Sequence, residues 1–217
     1  MSLVMLGTLL LSAAAAHPLQ HPDTLEIPTL AAPPRLDGAA DADEYGAGSF
    51  IRIAAGSGDV AVHAGRQGGW IHIAAVLPDT TCYWGDDFVV SLDADGSGGE
   101  APTTGDRQWY LRRVADSSFV VTADSAGFYT PGRAPRSLGA TRGDADWQVA
   151  FAEHAGGWSV ELRIRETVLG GGPAAPRITF RTYDDDPHGW WAWPARAGMP
   201  AQHVERTPAA WAPMVLR

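Results

Sequence analysis

The feature that most constrains the fold is a strict alternation of side-chain character over residues 158–165. The apolar members are Trp158, Val160, Leu162 and Ile164, and the polar members are Ser159, Glu161, Arg163 and Arg165. A period of two residues places the two sets on opposite faces of a β-strand, with one face on a core. The lone carboxylate Glu161 is accordingly predicted to point outward, near Arg163.

Eight further segments have a mostly alternating pattern typical of strands. They are residues 50–54, 59–63, 70–77, 88–92, 108–114, 119–123, 147–153 and 178–183. Glycine-rich turns divide several of them, residues 154–157 predict a tight hairpin turn, and residues 123–146 predict a surface loop. The 25 Gly and 16 Pro agree with a turn-rich chain, and residues 166–169 predict at most one helical turn. The sequence thus predicts an all-β, single-domain, two-sheet antiparallel β-sandwich of immunoglobulin-like or jelly-roll-like type, with nine to eleven strands.

The N-terminal region predicts export. Residues 1–16 contain a short apolar core and an Ala run before His17, as in a cleaved signal peptide. The core is too short for a spanning helix, so we expect no membrane span after cleavage and a secreted or periplasmic protein. Residues 17–34 predict an extended Pro-rich leader without its own core, and residues 35–217 the sandwich. The one cysteine, Cys82, has no partner for an internal disulfide, and we expect a monomer.

Composition and motifs exclude several function classes. The net charge of −9 disfavours nucleic acid as a partner, and all 16 basic residues are Arg. The motifs G-x-S-x-G and H-E-x-x-H and the P-loop are absent. Glu161 has no second carboxylate for glycoside hydrolysis. We therefore expect a protein that is not an enzyme.

Eight of the nine tryptophans fall into two groups. Trp70, Trp109, Trp147 and Trp158 begin predicted strands, so we assign most of them to the core or its rim. The others of interest are predicted in loops: Trp84 after a turn-like stretch, and Trp190, Trp191 and Trp193 after an Asp-rich one. Exposed indoles stack on the apolar faces of sugars, which makes these loops candidate carbohydrate sites. The alternative is that they pack over one end of the sandwich and bind nothing.

Three blocks carry a family resemblance. They are Leu36-Asp37-Gly38 with Asp43-Glu44-Tyr45, Trp84-Gly-Asp-Asp through Asp93, and Gly157-Trp158-Ser-Val-Glu161. In this order the chain resembles the family 9 carbohydrate-binding modules and the wider DOMON-like group of secreted β-sandwiches, over roughly residues 33–194.

The resemblance implies a ligand site and its contacts. Trp84 and one of Trp190, Trp191 or Trp193 would hold a terminal sugar between them. Arg112, or alternatively Arg113, would bind its hydroxyls. The family also places a sugar-contacting Glu where this chain has Val90, and the missing charged hydrogen bond is worth about 1.5–3 kcal/mol.

Acidic clusters provide candidate calcium ligands, and the family often holds structural calcium. Asp93, Asp95 and Glu100 begin like a calcium loop, but Thr104 stands where an EF-hand requires Glu. Asp37, with Asp41, Asp43 and Glu44, forms a second cluster, and residues 184–186 form a third. Ordinary solvated turns are the alternative for each cluster.

These observations predict a non-catalytic carbohydrate-binding module of an exported protein. It would hold a polysaccharide or oligosaccharide between loop tryptophans, with structural calcium as the only cofactor. The alternative is an exported interaction or structural protein that has lost the sugar site. Two enzymatic or redox alternatives are weaker: a copper brace that starts at His17, with a second ligand from His63, His72, His154, His188 or His203, and haem held by Met199, Met214, His188 or His203.

Overall fold

The computed structural model describes residues 24–113, 118–122, 145–185 and 188–217. Within them the chain forms twelve strands and two one-turn α-helices. The strands are β1 (Leu25–Ile27), β2 (Ser49–Ala54), β3 (Asp59–Gln67), β4 (Trp70–Leu77), β5 (Asp87–Asp93), β6 (Asp106–Arg112), β7 (Phe119–Thr122), β8 (Trp147–His154), β9 (Gly157–Arg165), β10 (Arg177–Asp185), β11 (His188–Trp193) and β12 (Ala212–Leu216). The helices are α1 (Ala42–Tyr45) and α2 (Ala201–Val204), and 3₁₀ turns lie at Glu166–Val168 and Pro208–Ala210.

The strands form two sheets packed face to face. One has seven strands in the order β1-β12-β10-β5-β6-β7, with β11 also paired to β10. The other has five strands in the order β2-β3-β4-β9-β8. Every pairing is antiparallel except that of β1 with β12. The predicted two-sheet β-sandwich is confirmed, with one strand more than the nine to eleven expected.

The core lies between the two sheets. Trp158, Val160, Leu162 and Ile164 are all buried in it, as the alternation of β9 predicts. Trp109 and Trp147, also predicted at strand starts, are 1% exposed, whereas Trp70 is only partly buried. All nine predicted strands are present with boundaries shifted by a few residues, and the hairpin turn pairs His154 with Gly157.

Three strands differ from the sequence predictions. Strand β1 lies inside the predicted leader, and its Leu25 and Ile27 are buried core residues, so the described part of residues 17–34 contributes to the sandwich. Strand β11 replaces the loop predicted around Trp190, and β12 was not predicted. The predicted signal peptide (residues 1–16) and most of the predicted loop at 123–146 lie outside the described residues. In the part of the chain that is described, no helix is long and apolar enough to cross a membrane.

Glu161 faces outward from β9, as predicted, but it is covered. Its carboxylate accepts hydrogen bonds from the backbone N–H groups of Asp37 (3.0 Å) and Gly38 (2.7 Å). The Tyr45 hydroxyl also donates to it, over 3.3 Å, and Glu161 is 1% exposed. Burial raises the pKa of this carboxyl group. The first and third motif blocks of the sequence therefore meet here and fasten the segment before β2 to the five-stranded sheet.

The outer face of the seven-stranded sheet is partly covered by residues 194–211, here called the C-terminal cover. Val204 and Trp211 pack against Val121 of β7, and the Trp211 indole donates to the Val204 carbonyl over 2.6 Å. Glu205 reaches the sheet and accepts hydrogen bonds from Gln108 (2.8 Å) and Tyr110 (3.0 Å).

Candidate functional site

A row of four side chains crosses the outer face at the start of β5, and its middle members Asp87 and Tyr183 are 6% and 9% exposed. The strand registers pair Trp190 with Tyr183, Tyr183 with Asp87, and Asp87 with Arg112. Directly opposed residues of neighbouring strands project from the same face. With about 4.8 Å between strands, the row spans about 14 Å across β11, β10, β5 and β6.

Trp84 stands at the Arg112 end of this row, on the loop that precedes β5. Its side chain is 66% exposed, and the Arg112 guanidinium lies 6.0 Å from its ring centroid. Trp190 is 38% exposed at the other end. Between them the ring centroids form a continuous series: Trp84–Tyr83 at 5.3 Å, Tyr83–Tyr183 at 6.3 Å and Tyr183–Trp190 at 4.9 Å. The two tyrosines thus fill the space between the tryptophans, Tyr183 is only 9% exposed, and the exposed rings are those of Trp84 and Trp190 at the two ends.

Two buried carboxylates, those of Asp79 and Asp86, anchor the loop that carries Trp84. Asp79 accepts hydrogen bonds from the backbone N–H (2.9 Å) and hydroxyl (2.7 Å) of Thr81, and Asp86 accepts one from the Tyr83 N–H (2.7 Å). Arg113 lies 3.7 Å from Asp79 and 3.5 Å from Asp86, and it also donates to the Thr81 carbonyl. These contacts place Trp84 without a contribution from the ligand, which lowers the ordering cost of binding.

Asp86 is a buried carboxylate within this anchor. Burial raises the pKa of Asp86 to about 6, and the neighbouring Asp79 charge raises it further, whereas the Tyr83 N–H and Arg113 act in the opposite direction. Arg113 makes its closest ion pair, at 2.6 Å, with Glu153 of β8. Arg113 is therefore a structural residue of the loop, and of the two predicted arginines only Arg112 lies beside an exposed tryptophan.

Of the three tryptophans predicted around residue 190, one faces the site. Trp193 is 0% exposed and stacks on Phe180 in the core at 5.7 Å, so the prediction of Trp193 as a ligand contact is wrong. Trp191 is partly buried and packs against the core. The reason is that residues 188–193 form a strand, so Trp191 and Trp193 point to the face opposite Trp190.

Val90 also points into the core. It is 0% exposed and pairs with Phe180 and Trp109, both of which are core residues. A Glu at this position would be buried in apolar surroundings, so the expected sugar contact does not belong to residue 90. The outward-facing neighbours on β5 are Val89 and Ser91, which alternate with Val90 along the strand.

A buried ion-pair network lies next to the row. Arg181 makes two hydrogen bonds to Asp87 (2.8 and 3.2 Å) and approaches Glu205 of the C-terminal cover to 2.5 Å. Burial lowers the pKa of Arg181, but the charges of Asp87 and Glu205 outweigh it and raise the pKa above its usual value. Both Asp87 oxygens are engaged by Arg181. Arg112 is the other charged member of the row, and it lies beside the exposed Trp84 ring.

A carboxylate cluster lies at the far end of the same face, where β5 ends and β6 begins. Asp93, Asp95 and Asp106 each place a carboxylate oxygen within 4.8 Å of the others. Asp93 and Asp106 are 0% exposed, and the Oδ1 atom of Asp106 has no hydrogen-bond partner. Burial raises the pKa of Asp106 to about 7, with a further contribution from the Asp93 and Asp95 charges. Closely spaced oxygens of this kind suit Ca²⁺.

Two of the four predicted metal ligands therefore belong to the cluster, and two do not. Asp93 and Asp95 come together as expected, and Asp106 stands with them instead of Glu100, which is exposed outside the cluster. Asp37 lies elsewhere: its carboxylate accepts from the Ala39 N–H and lies 3.8 Å from Arg35. Among the described residues this is the one group of three or more potential metal ligands, and no histidine belongs to it. His17 lies outside the described residues.

Four residues of the candidate sites were not predicted: Tyr83, Tyr183, Asp87 and Asp106. Their positions follow from strand register, which single-sequence patterns do not specify across distant strands. Asp87 and Asp106 did carry a signal, because each is an acidic residue at the first position of a strand. Tyr83 could have been found from its position beside Trp84.

Comparison with solved structures connects this geometry to a known fold. No family model matches the sequence, and no curated protein matches it. Two solved structures of a family 9 carbohydrate-binding module from Caldicellulosiruptor kristjanssonii do match. The complex with cellotriose has a TM-score of 0.57 at 14% identity, covering 89% of this chain and 93% of that one. The complex with glucose has a TM-score of 0.58 at 14% identity, covering 88% and 95%.

The chain has the fold of a family 9 carbohydrate-binding module. At 14% identity the likeness shows the fold alone, and it extends over nearly the whole of both chains. The resemblance read from the three sequence blocks is confirmed at this level. The motif residues Gly38, Tyr45, Ser159 and Glu161 support that fold, since Ser159 also donates to the Gly38 carbonyl over 2.6 Å.

Proposed function

We propose that this protein is a non-catalytic carbohydrate-binding module. A single observation carries the proposal: Trp84 (66% exposed) and Trp190 (38% exposed), the two exposed tryptophans among the described residues, flank one row of side chains on the seven-stranded sheet. An exposed indole packs on the C–H face of a pyranose, and water is released from both surfaces. Apolar side chains grouped on one face mark a ligand surface more often than isolated ones do.

The polar contacts of the row fit a neutral sugar. Arg112 provides hydrogen-bond donors beside the Trp84 ring, where hydroxyls of a stacked sugar would lie. His188, whose ring lies 5.3 Å from that of Trp190, supplies a further polar group at the other end. Arg181 neutralises Asp87, the carboxylate of the row. A stacked and hydrogen-bonded oligosaccharide therefore meets both kinds of group it requires.

The ligands of the structural neighbours suggest the sugar class. The two matching structures hold cellotriose and glucose. We propose a glucose-containing oligosaccharide or polysaccharide as the ligand, held by Trp84, Trp190 and Arg112 as a monomeric module. The predicted signal peptide agrees with this function, because such polysaccharides lie outside the cell.

A calcium ion at Asp93, Asp95 and Asp106 is the second part of the proposal. The Asp106 oxygen without a hydrogen-bond partner supports it, since a buried carboxylate oxygen requires a proton, a donor or a cation. The cluster lies at the end of β5 opposite Trp84, so the ion would be structural and would stabilise the β5–β6 connection.

The proposed glycan function is tested by affinity electrophoresis of the purified chain in gels that contain soluble glucans, xylan or no polysaccharide. We expect retardation in a β-glucan gel. Phe50, which is 54% exposed on the opposite sheet, provides the matched control, and Phe50→Ala should be retarded equally. Migration unchanged by every polysaccharide would favour the alternative, an interaction or structural protein without a sugar site.

A further inference from the structure

A cavity lies beside Trp190, at one end of the row. Its volume is about 210 Å³, and it lies where the edge strands β2 and β11 of the two sheets meet under the C-terminal cover. Buried Ile53 and Val204 line it together with exposed Ala54 and Ala195. The cavity therefore extends from the core to the surface.

The lining of this cavity is apolar and aromatic with one cation. Trp190, Trp191 and Met199 contribute large, polarisable side chains. Arg196 is the one charged side chain that lines it. An engineered apolar cavity of about 150 Å³ holds benzene, so the present cavity has room for a substituted aromatic ring.

Arg196 is available to bind an anion. Its Nε atom donates to the Ala210 carbonyl over 2.7 Å, and no ion pair found among the described residues includes Arg196. The guanidinium presents further N–H donors in a planar fork that matches a carboxylate. A half-buried cation against apolar walls favours a ligand with an apolar body and one anionic group.

We propose that this cavity is a second ligand site, for a small aromatic carboxylate. The ring would lie among Trp190, Trp191 and Met199, and the carboxylate would pair with Arg196. Since Trp190 contributes to both the cavity and the row, the two sites are adjacent. The proposal does not depend on glycan binding, because the contacts of the cavity exclude Trp84 and Arg112.

The test is a ¹⁹F NMR titration of the full chain with 4-fluorobenzoate, and 4-fluorobenzyl alcohol is the neutral control probe. We expect saturable binding of the carboxylate and at least about tenfold weaker binding of the alcohol, which lacks the charge-assisted hydrogen bond. Arg196→Gln should weaken benzoate binding about tenfold or more, and Arg196→Lys, which keeps the charge but not the planar fork, should weaken it less than Arg196→Gln does. Arg217→Gln, which changes an exposed arginine paired with Glu26, should have no effect.

A second variant distinguishes loss of binding from loss of folding. Met199→Trp should fill the cavity and abolish binding, while its thermal midpoint shows that it is folded. Trp84→Ala should leave benzoate binding unchanged even if it abolishes glycan binding, so failures of the two proposals are distinguishable. Absence of saturable binding, equal affinity for both probes, or equal affinity of Arg196→Gln would overturn the proposal. A concentration-dependent dimer without benzoate binding would assign the cavity to a second copy and would also overturn it.

Discussion

At the scale of the residue, side-chain direction decides which tryptophans can meet a ligand. Trp190, Trp191 and Trp193 lie within four positions of one another, yet only Trp190 faces outward while Trp193 is fully buried. The alternation of a strand causes this, and a loop would not. Trp84, by contrast, owes its exposure to a loop that Asp79, Asp86 and Arg113 hold in place.

The protonation of Asp86 predicts a pH dependence of stability. Its pKa rises from the ordinary value of 3.8 to about 6 in the folded protein. Between about pH 4 and pH 6 the folded state keeps a proton that the unfolded state has released. The proton that Asp86 retains therefore stabilises the folded state fully below pH 4. This stabilisation, roughly 1–3 kcal/mol of unfolding free energy, is lost as the pH rises through 6.

The Asp86→Asn variant measures this contribution, because its amide resembles the protonated form at every pH. In urea unfolding, we expect Asp86→Asn to gain stability relative to the natural protein as the pH rises from 4 to 7. Asp59→Asn, at a half-exposed site paired with Arg52, is the control and should show no such trend. A difference between Asp86→Asn and the natural protein that does not vary with pH would contradict the account of this loop.

At the scale of the element, turns fastened to strands explain why the sequence blocks occur together. The turn at Gly38 has φ = +85° and lies so close to β8 that an added Cβ would be 2.2 Å from the Phe151 carbonyl carbon. Glu161 and Ser159 of β9 hold that turn through hydrogen bonds. The first and third blocks thus encode one packing contact, and only the second leads to the candidate ligand face.

Alanine substitutions at two glycines separate the effect of this contact from the effect of backbone strain alone. Gly68 also has positive φ (+62°), but an added Cβ there would have nothing within 4 Å. Gly68→Ala should cost about 1 kcal/mol of unfolding free energy, since only the backbone is strained. Gly38→Ala should cost more than about 3 kcal/mol, because the Phe151 backbone must also move. Equal losses in urea unfolding would show that the turn is not packed as described.

The connection between β5 and β6 predicts a response to calcium. Binding to Asp93, Asp95 and Asp106 would relieve the repulsion among these carboxylates and stabilise the folded state by about 2.7 kcal/mol at a hundred times Kd. Millimolar Ca²⁺ should therefore raise the melting temperature, and EDTA should reverse the shift. Asp106→Asn should remove the response and Asp37→Asn should retain it. No shift in the natural protein would make the cluster an ordinary carboxylate-rich turn.

At the scale of the whole molecule, the sequence predicts the strands and the two-sheet sandwich better than it predicts which residues meet on the candidate ligand face. Nine strands, the sandwich and the core face of β9 follow from local alternation, which needs no knowledge of neighbours. Strand β1 was missed because three residues are too short for a period, and β12 because Pro213 interrupts its pattern. Strand β11 was missed because three tryptophans in six residues mask the alternation.

The candidate site was only partly predictable for the same reason. Trp84, Trp190 and Arg112 stand out as residue types, and the structure places them on one face. Tyr183 and Asp87 join them only through the pairing of β10 with β5, and these two partners are 96 positions apart in the sequence. The acidic cluster likewise required the pairing of Asp93 with Asp106. Such long-range registers depend on how the whole sheet packs, and no local pattern specifies them.

The most direct test of the account is calorimetric titration of cello-oligosaccharide into the natural protein, Trp84→Ala and Trp190→Ala. Each loss should weaken binding by roughly 1–3 kcal/mol, about ten- to a hundredfold, while the melting temperature stays nearly constant. Trp193→Ala should behave in the opposite way and destabilise the fold by about 3–5 kcal/mol, as expected for a core residue. Binding that survives the loss of both Trp84 and Trp190 would contradict the proposal that this face holds the sugar.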